Sequence, residues 1–338
     1  MTRVAAIDCG TNSIRLLVAD IDGTGLNELT RRMEIVRLGA GVDRTGDLAP
    51  QALARTLAAL RDYAGEIERL GATRVRMVAT SATRDARNRG DLVTGVRAIL
   101  GVDPEVISGD EEAALSFGGA IGELDVPSPV LLADIGGGST ELVLGDATGV
   151  RAARSVNVGC VRLAERHLHD DPPTPAQAAL VVADARAAFD LAAETVPLSQ
   201  AATLVGVAGT VTTVAALAAD LPAYDADRIH LLVTSAEQVA EVTDRLLAMT
   251  HDQRAALPVM HPGRVDVIAA GALVLRTLIE RTGAAAVVAS ERDILDGIAL
   301  ALAASPAPPA SPARLDGAAR LGGAVAGPSV SAAEPASG

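Results

Sequence analysis

Two short stretches carry a carboxylate, glycines and hydroxyls in the order that a phosphate-binding turn needs. The longer is Asp134-Ile135-Gly136-Gly137-Gly138-Ser139-Thr140-Glu141, entered and left by apolar runs at 130–133 and 142–144. Three successive glycines weaken a strand interior but make a tight turn whose N–H groups stay reachable. A phosphate could rest on those amides, with Ser139 and Thr140 adding hydroxyl donors. Asp134 cannot bind phosphate directly; it could hold a cation that neutralises phosphate oxygens, usually through waters. The same device stands near the N-terminus as Asp8-Cys9-Gly10-Thr11-Asn12-Ser13, again between apolar runs. Asp8, Gly10, Ser13 and Leu16 match Asp134, Gly136, Ser139 and Leu142 in offset. One such loop is weak, and a pair of ordinary glycine hairpins is the plain alternative. Two copies with equal spacing imply two related lobes.

Three further segments carry chemistry-bearing residues. Thr80-Ser81-Ala82-Thr83-Arg84 follows a short apolar run. It reads equally as a ligand-facing turn at a sheet end and as a helix N-terminus with a solvated arginine. Ser108-Gly109-Asp110-Glu111-Glu112 fits a capping box, in which Ser108 caps the Glu111 amide and Glu111 reaches back to the Ser108 N–H. Glu112 is then left without a local partner and could project into a cleft to act on water. Spacing alone favours the other reading, three acids complementing a helix dipole. Ala208-Gly209-Thr210 is a third strand–glycine–helix junction, where Thr210 could donate to a ligand from a helix N-terminus.

Elements of matching type flank these segments. Residues 3–21 read as a β-hairpin around the first loop, 29–38 as a third strand rich in Arg (Arg31, Arg32, Arg37), and 39–46 as a loop. Apolar spacing through Leu53, Leu57, Leu60, Ile67 and Leu70 gives a helix over 50–70, stopped by Gly71. Residues 75–79 read as a strand, and a helix runs from Ser108 to about Gly122. Residues 123–129, with Pro127 and Pro129, link the halves. Beyond the second loop come a strand near 152–158, helices over 161–169 and 175–194, the junction at 204–213, helices over 235–249 and 265–282, a strand at 287–290 and a helix ending near 304. Residues 305–338 are Ala, Pro, Gly and Ser with little large apolar content, the composition of a disordered tail.

Length and composition set the bounds. A chain of 338 residues, 49% hydrophobic, can build two domains with sizeable cores. Aromatics are only 1%, so those cores are Ala, Val, Leu and Ile. The net charge of −13 argues against a nucleic-acid coat. It also means that any polyanionic substrate needs a local basic strip. All 29 Lys and Arg residues are Arg, which suits bidentate phosphate contacts. Cys9 and Cys160 make no disulfide framework and read as reduced thiols. The N-terminus has no signal-peptide pattern, because Asp8 interrupts its apolar run. The uncharged stretch 195–219 contains Pro197 and two glycines, so a buried strand–turn–helix fits better than a membrane span. A cytoplasmic location is expected.

Other sites are set aside. His167, His169, Asp170 and Asp171 could bind a metal, but beside prolines they read as a solvated loop. His251-Asp252 lacks the further ligands of a metal phosphohydrolase. His261-Pro262-Gly263-Arg264 stands before a helix and suits capping or an interface. Without any Lys, Walker-type nucleotide chemistry is excluded.

The two Asp-x-Gly loops resemble the paired phosphate loops of the ASKHA superfamily of actins, heat-shock chaperones and sugar kinases. Three further features are the segment Ile107-Ser108-Gly109-Asp110-Glu111-Glu112-Ala113, the Asn-x-Gly-Cys run at 157–160 and the 290–297 stretch. With these and Ala208-Gly209-Thr210, the chain resembles the exopolyphosphatase / guanosine pentaphosphate phosphohydrolase (Ppx/GppA) family over about residues 1–303. The resemblance implies an α/β fold of two actin-like, ribonuclease H-like domains, drawn at 1–124 and 125–304, with the active site in the cleft between them. It implies exopolyphosphatase activity, with Glu112 as general base and Arg84 as a phosphate contact. Asp134 and Glu141, in the same cleft, are expected to hold Mg²⁺. Gly136, Gly137, Gly138 and Ser139 would cradle the terminal phosphate, with Asp8, Gly10, Thr11, Asn12 and Ser13 opposite and Gly209 and Thr210 nearby. Arg31, Arg32, Arg84, Arg87 and Arg89 would guide the polyphosphate tail.

Longer members carry a further helical domain, which has no counterpart here; this resembles the short actinobacterial form. Ala208 stands where some members have serine. A homodimer is expected from the resemblance. Alternative functions are hydrolysis of guanosine pentaphosphate (pppGpp), ATP turnover with an adenosine pocket around 206–213, and phosphate sensing without catalysis.

Overall fold

A computed structural model describes residues 1–305 apart from Thr24 and Glu123. The tail expected to be disordered lies, from 306 on, outside the described residues. Two nearly continuous apolar runs make the first hairpin, β1 (Thr2–Cys9) and β2 (Ser13–Asp22), with Asp8 opposite Arg15. β3 (Gly25–Ile35) extends it antiparallel, while β4 (Arg74–Ala79) and β5 (Glu105–Val106) add in parallel, giving the order β3-β2-β1-β4-β5. The second sheet contains β6 (Val130–Ile135), β7 (Thr140–Asp146), β8 (Gly149–Val156), β9 (Thr203–Val207), β10 (Val233–Ser235) and β11 (Ala286–Ala289). Its order, β8-β7-β6-β9-β11-β10, repeats that of the first sheet with β10 added at the edge. The repeat seen in the two Asp-x-Gly loops is therefore a repeat of topology, each loop joining the second and third strands of its sheet in this order.

Helices cover both faces. In the first half these are α1 (Val42–Thr45), α2 (Pro50–Leu70), α3 (Ser81–Asp85), α4 (Arg89–Leu100) and α5 (Gly109–Ile121). The second half adds α6 (Cys160–His167), α7 (Pro175–Ala193), α8 (Ala208–Ala218), α9 (Ala226–Ile229) and α10 (Ala236–Ala248). It ends with α11 (His251–Ala255), α12 (Ile268–Thr282) and α13 (Ile294–Ala304). Leu60, Tyr63, Leu92 and Val96 fill one side of the first sheet. Its other side is covered by Ile294, Leu295 and Ile298 of α13, so the last described helix returns to the first sheet. Conversely, Ala113, Phe117 and Ala120 of α5 pack on Val130, Leu132 and Val205 of the second.

α5 and α13 cross where both helices carry glycine. A Cβ on Gly119 would lie 1.9 Å from the Asp293 carbonyl oxygen, and one on Gly297 would lie 1.9 Å from that of Leu115. This contact sets Gly119, two turns along α5 from Glu112, against the N-cap residue of α13.

Several expectations shift. The third strand occupies 25–35, not 29–38. Residues 36–39 leave the ladder because their amides turn to the first loop, Val36 and Arg37 donating to Asn12 O and Gly39 to Thr11 O. The 39–46 loop contains the single turn α1 between Gly41 and Gly46, both left-handed. The strand expected near 152–158 runs 149–156. α4 has no sequence signal strong enough to announce it, since Gly90 and Gly95 dilute the helix pattern. Gly95 is where Leu57 of α2 packs, its Cδ1 2.6 Å from where a Cβ would sit. Half of the Ser108 capping box forms: Ser108 Oγ accepts the Glu111 N–H at 3.2 Å, but Glu111 pairs with Arg76 at 3.1 Å rather than turning back. Residues 195–219 hold a 3-10 turn, β9 and α8, and no helix of the described residues is long and apolar enough to cross a membrane.

Candidate active site

Both loops close with the same hydrogen bond, Gly10 N–H to Ser13 O at 2.9 Å and Gly136 N–H to Ser139 O at 3.1 Å. Both are also held from behind by their carbonyls. In the second loop Gly136 O accepts from Cys160 N–H and Gly137 O from Val161 and Arg162 N–H, the first amides of α6. A trans peptide points its C=O and the following N–H in opposite directions. Carbonyls drawn towards α6 therefore turn the N–H groups of Gly137 and Gly138 to the other side, where neither has a protein acceptor among the described residues. Gly159 is required for this seat: a Cβ there would lie 2.5 Å from the Gly137 carbonyl oxygen.

The loops face a cavity of about 110 Å³, lined by Asp8, Gly10, Thr11, Asn12 and Ser13 on one side. Asp134, Gly136, Gly137 and Ser139 line the other, with Gly209 and Thr210 completing the wall. Glu112 also lines it and is 8% exposed. One residue separates its fate from that of Glu111: at roughly 100° per residue, Glu111 faces solvent on Arg76 while Glu112 turns inward. Arg84 donates through Nη1 to Glu112 Oε2 at 3.0 Å and to Ile107 O at 3.1 Å.

Burial pushes the Glu112 carboxyl up to about 7; Arg84 opposes the rise, and the charges of Asp134 and Asp8 add to it. Burial and the charge of Asp293 raise Asp134 to about 6, although its Oδ2 accepts from Ser116 Oγ at 2.7 Å. Asp8 is raised by burial against the pull of Arg15, which holds its Oδ2 at 2.7 Å; its Oδ1 is buried with no hydrogen-bond partner among the described residues. Arg15 also pairs with Asp293, the N-cap of α13, so the returning helix braces the first loop.

Three expected residues do not line the cavity. Arg84 stands behind Glu112. Gly138 faces a neighbouring crevice beside Arg162. Glu141 is buried against Ser155 Oγ at 2.7 Å, and burial, with Glu112 and Asp134 nearby, holds its carboxyl well above the usual range.

The expected arginine strip is also absent from the cavity wall. Arg31 pairs with Glu28 and Asp296, Arg32 with Glu34 and Arg87 with Asp47. The arginines that line the cavity are Arg15 and Arg264. Arg264 donates to Thr213 Oγ1 at 3.0 Å and lies over Tyr224, with no carboxylate in salt-bridge range among the described residues. Gly209 makes room for it: a Cβ there would lie 2.4 Å from Arg264 Nη2. Beside it Ala208 adopts φ 69, a conformation costly for a residue with a Cβ. Arg15 had a signal, a charge inside an apolar strand two residues past the loop. For Arg264 the sequence suggested only capping or an interface. His167, expected in a solvated loop, instead ends α6 and pairs with Asp184 at 2.8 Å, and His261 Nδ1 accepts from Gly263 N–H.

The chain matches the Ppx/GppA phosphatase family over residues 17–305. It is 52% identical over 318 residues to exopolyphosphatase 2 of Mycobacterium tuberculosis, covering 90% of this chain and 99% of that protein. Among solved structures it is similar to an exopolyphosphatase-like protein, with 44% identity and a TM-score of 0.86 over 88% of this chain and 98% of that one. The Aquifex aeolicus Ppx/GppA enzyme aligns at 29% identity with a TM-score of 0.75, over 89% of this chain and 99% of that one. The duplicated topology is that of the actin-like fold.

Proposed function

Because the chain belongs to the Ppx/GppA phosphatase family, we propose that it is an exopolyphosphatase, hydrolysing the terminal phosphoanhydride of inorganic polyphosphate to release orthophosphate. The observation that carries this reading is that one buried carboxylate, Glu112, lines the same small cavity as both glycine loops. The terminal phosphoryl group rests on the free N–H groups of the second loop and faces the first. Glu112 accepts a proton from the attacking water, a role for which a pKa near the working pH is best suited. Arg84 fixes the direction of that carboxylate. In-line attack forms the new P–O bond to water as the bridging P–O bond breaks, and the shortened chain leaves as an oxyanion. Arg264, a cation without a carboxylate partner, meets the next anionic group of the chain.

The residues present fit a divalent cation. Asp8 has a buried oxygen with no partner among the described residues, and Asp134 stands at the equivalent place in the second loop. Mg²⁺ takes one or two carboxylates and keeps waters and phosphate oxygens. Asp134, with Asp8, would hold Mg²⁺, which when bound supplies charge neutralisation at the phosphate oxygens. Glu141 supports the second loop through Ser155.

The cavity size favours a chain end over a whole nucleotide. About 110 Å³ is well below the ~300–1,000 Å³ of sites that enclose drug-sized ligands. Within 206–213, Val211 packs on Gly206, its Cγ1 2.7 Å from where a Cβ would stand, while Gly209 and Thr210 line the cavity. Phosphate release from polyphosphates of graded length, pppGpp and ATP, each with and without Mg²⁺, tests the reading. Polyphosphate is expected to give the highest kcat/KM. A tenfold preference for pppGpp reassigns the substrate, and no release from any of them ends the proposal.

A further inference from the structure

The two glycine loops are held differently at one pair of matching carbonyls. In the first loop Asn12 O accepts two backbone amides, from Val36 and Arg37. Its counterpart in the second loop, Gly138 O, is held by a side chain, Arg162 Nε at 2.7 Å. The same guanidinium gives Nη1 to Asp43 and Nη2 to Asp85, the latter at 2.6 Å. Both aspartates belong to the first half of the chain, and Asp85 follows Arg84. Arg166, one turn along α6, joins Asp43 at 2.9 Å, and Glu165 accepts the Gly41 N–H at 3.0 Å. Arg162 is 12% exposed and its Gly138 contact is part-buried, while Asp43 and Asp85 meet it at the solvent edge.

A backbone brace is fixed by the chain; a side-chain brace is present only while the side chain is held. Gly138 has no Cβ to restrict its rotation. Turning its carbonyl towards Arg162 turns the Ser139 N–H the opposite way, towards the cavity. We propose that Arg162 is a positioning residue for hydrolysis: it aims the Gly138–Ser139 peptide at the terminal phosphate, and Asp43 and Asp85 make that aim depend on the seating of the first half. This rests on the second loop being the phosphate cradle. The rigid fork of arginine reaches three acceptors at once, which the point charge of lysine cannot do.

The test uses the full chain with the variants R162K, R162M and D43N/D85N. The lost donor serves the transition state more than the ground state, so R162M should lose roughly 100-fold in kcat with KM within about threefold of wild type. R162K should recover no more than about a tenth of wild-type turnover. D43N/D85N keeps the Gly138 contact and should lose about tenfold in kcat; it carries the test if R162M does not fold. Wild-type turnover in R162K, or a kcat within about twofold of wild type in R162M or in the double variant, overturns the proposal. A second readout is independent of substrate. Exchange of the Cys160 and Val161 amides, which donate to the loop, should quicken about tenfold in R162M, or in D43N/D85N if R162M does not fold. Unchanged exchange overturns the brace even if polyphosphate proves to be the wrong substrate. Quickened exchange in a protein whose wild type releases no phosphate refutes the substrate alone.

Discussion

Replacing Glu112 with Gln separates two consequences of burying that carboxyl. Burial raises its pKa from 4.5 to about 7, against Arg84 at 3.0 Å. A carboxyl whose folded-state pKa lies above its unfolded value contributes stability that is fully present below the unfolded value. That contribution is lost as pH rises through the folded one. The window here runs from 4.5 to about 7. Across it the wild-type protein loses roughly 3 kcal/mol, at about 1.36 kcal/mol per pH unit. Gln does not ionise. The unfolding free energy of E112Q minus that of wild type should therefore rise by that amount across the window and stay level above it. A constant offset from the altered contact with Arg84 does not affect the slope. Denaturant unfolding of both proteins at a series of pH values, without divalent cations, measures it. Phosphate release from the same samples should fall by about 10²–10⁴-fold in the variant if Glu112 is the base. A stability difference independent of pH would refute the burial argument. Near-normal turnover of E112Q would remove Glu112 from the chemistry.

Arg84→Met takes away the charge that opposes burial at Glu112, so the acid limb of the kcat/KM–pH profile, expected near 7 in wild type, should move to higher pH. A limb that stays in place detaches Arg84 from Glu112. Asp134→Asn should raise the Mg²⁺ concentration for half-maximal phosphate release by about tenfold or more; an unchanged midpoint places the cation on other groups. Gly119→Ala drives a methyl into the Asp293 carbonyl and should cost about 1–3 kcal/mol in denaturant unfolding. Gly118→Ala has nothing within 4 Å and should stabilise by about 0.5–1 kcal/mol. Equal behaviour of these two variants would mean that the α5–α13 crossing relaxes.

Local chemistry made much of the scaffold legible. Pro50 at the first helical position and Gly71 just past the last bracket α2 as expected. The two Asp-x-Gly turns were readable because a tight turn is a property of adjacent residues. The Ser108 cap formed for the same reason, and its other half failed because Arg76, on a different strand, offered Glu111 a better partner. The arginines misled for a related reason: with 42 acids in the chain, most are taken by carboxylates. Pairing through space, not proximity in sequence, leaves Arg264 open to the cavity.

By itself the sequence determined the two turns, their repeat, most of the helices and the need for a local cation in a chain of net charge −13. Only the tertiary structure decided which of three adjacent acids turns inward and which arginines reach the cavity. It also decided that the last helix braces the first loop, through an ion pair between Arg15 and Asp293, 278 residues apart. Turns and caps are settled by neighbours along the chain. The ionisation and aim of a buried group are settled by what packs against it, and those partners come from elsewhere in the fold.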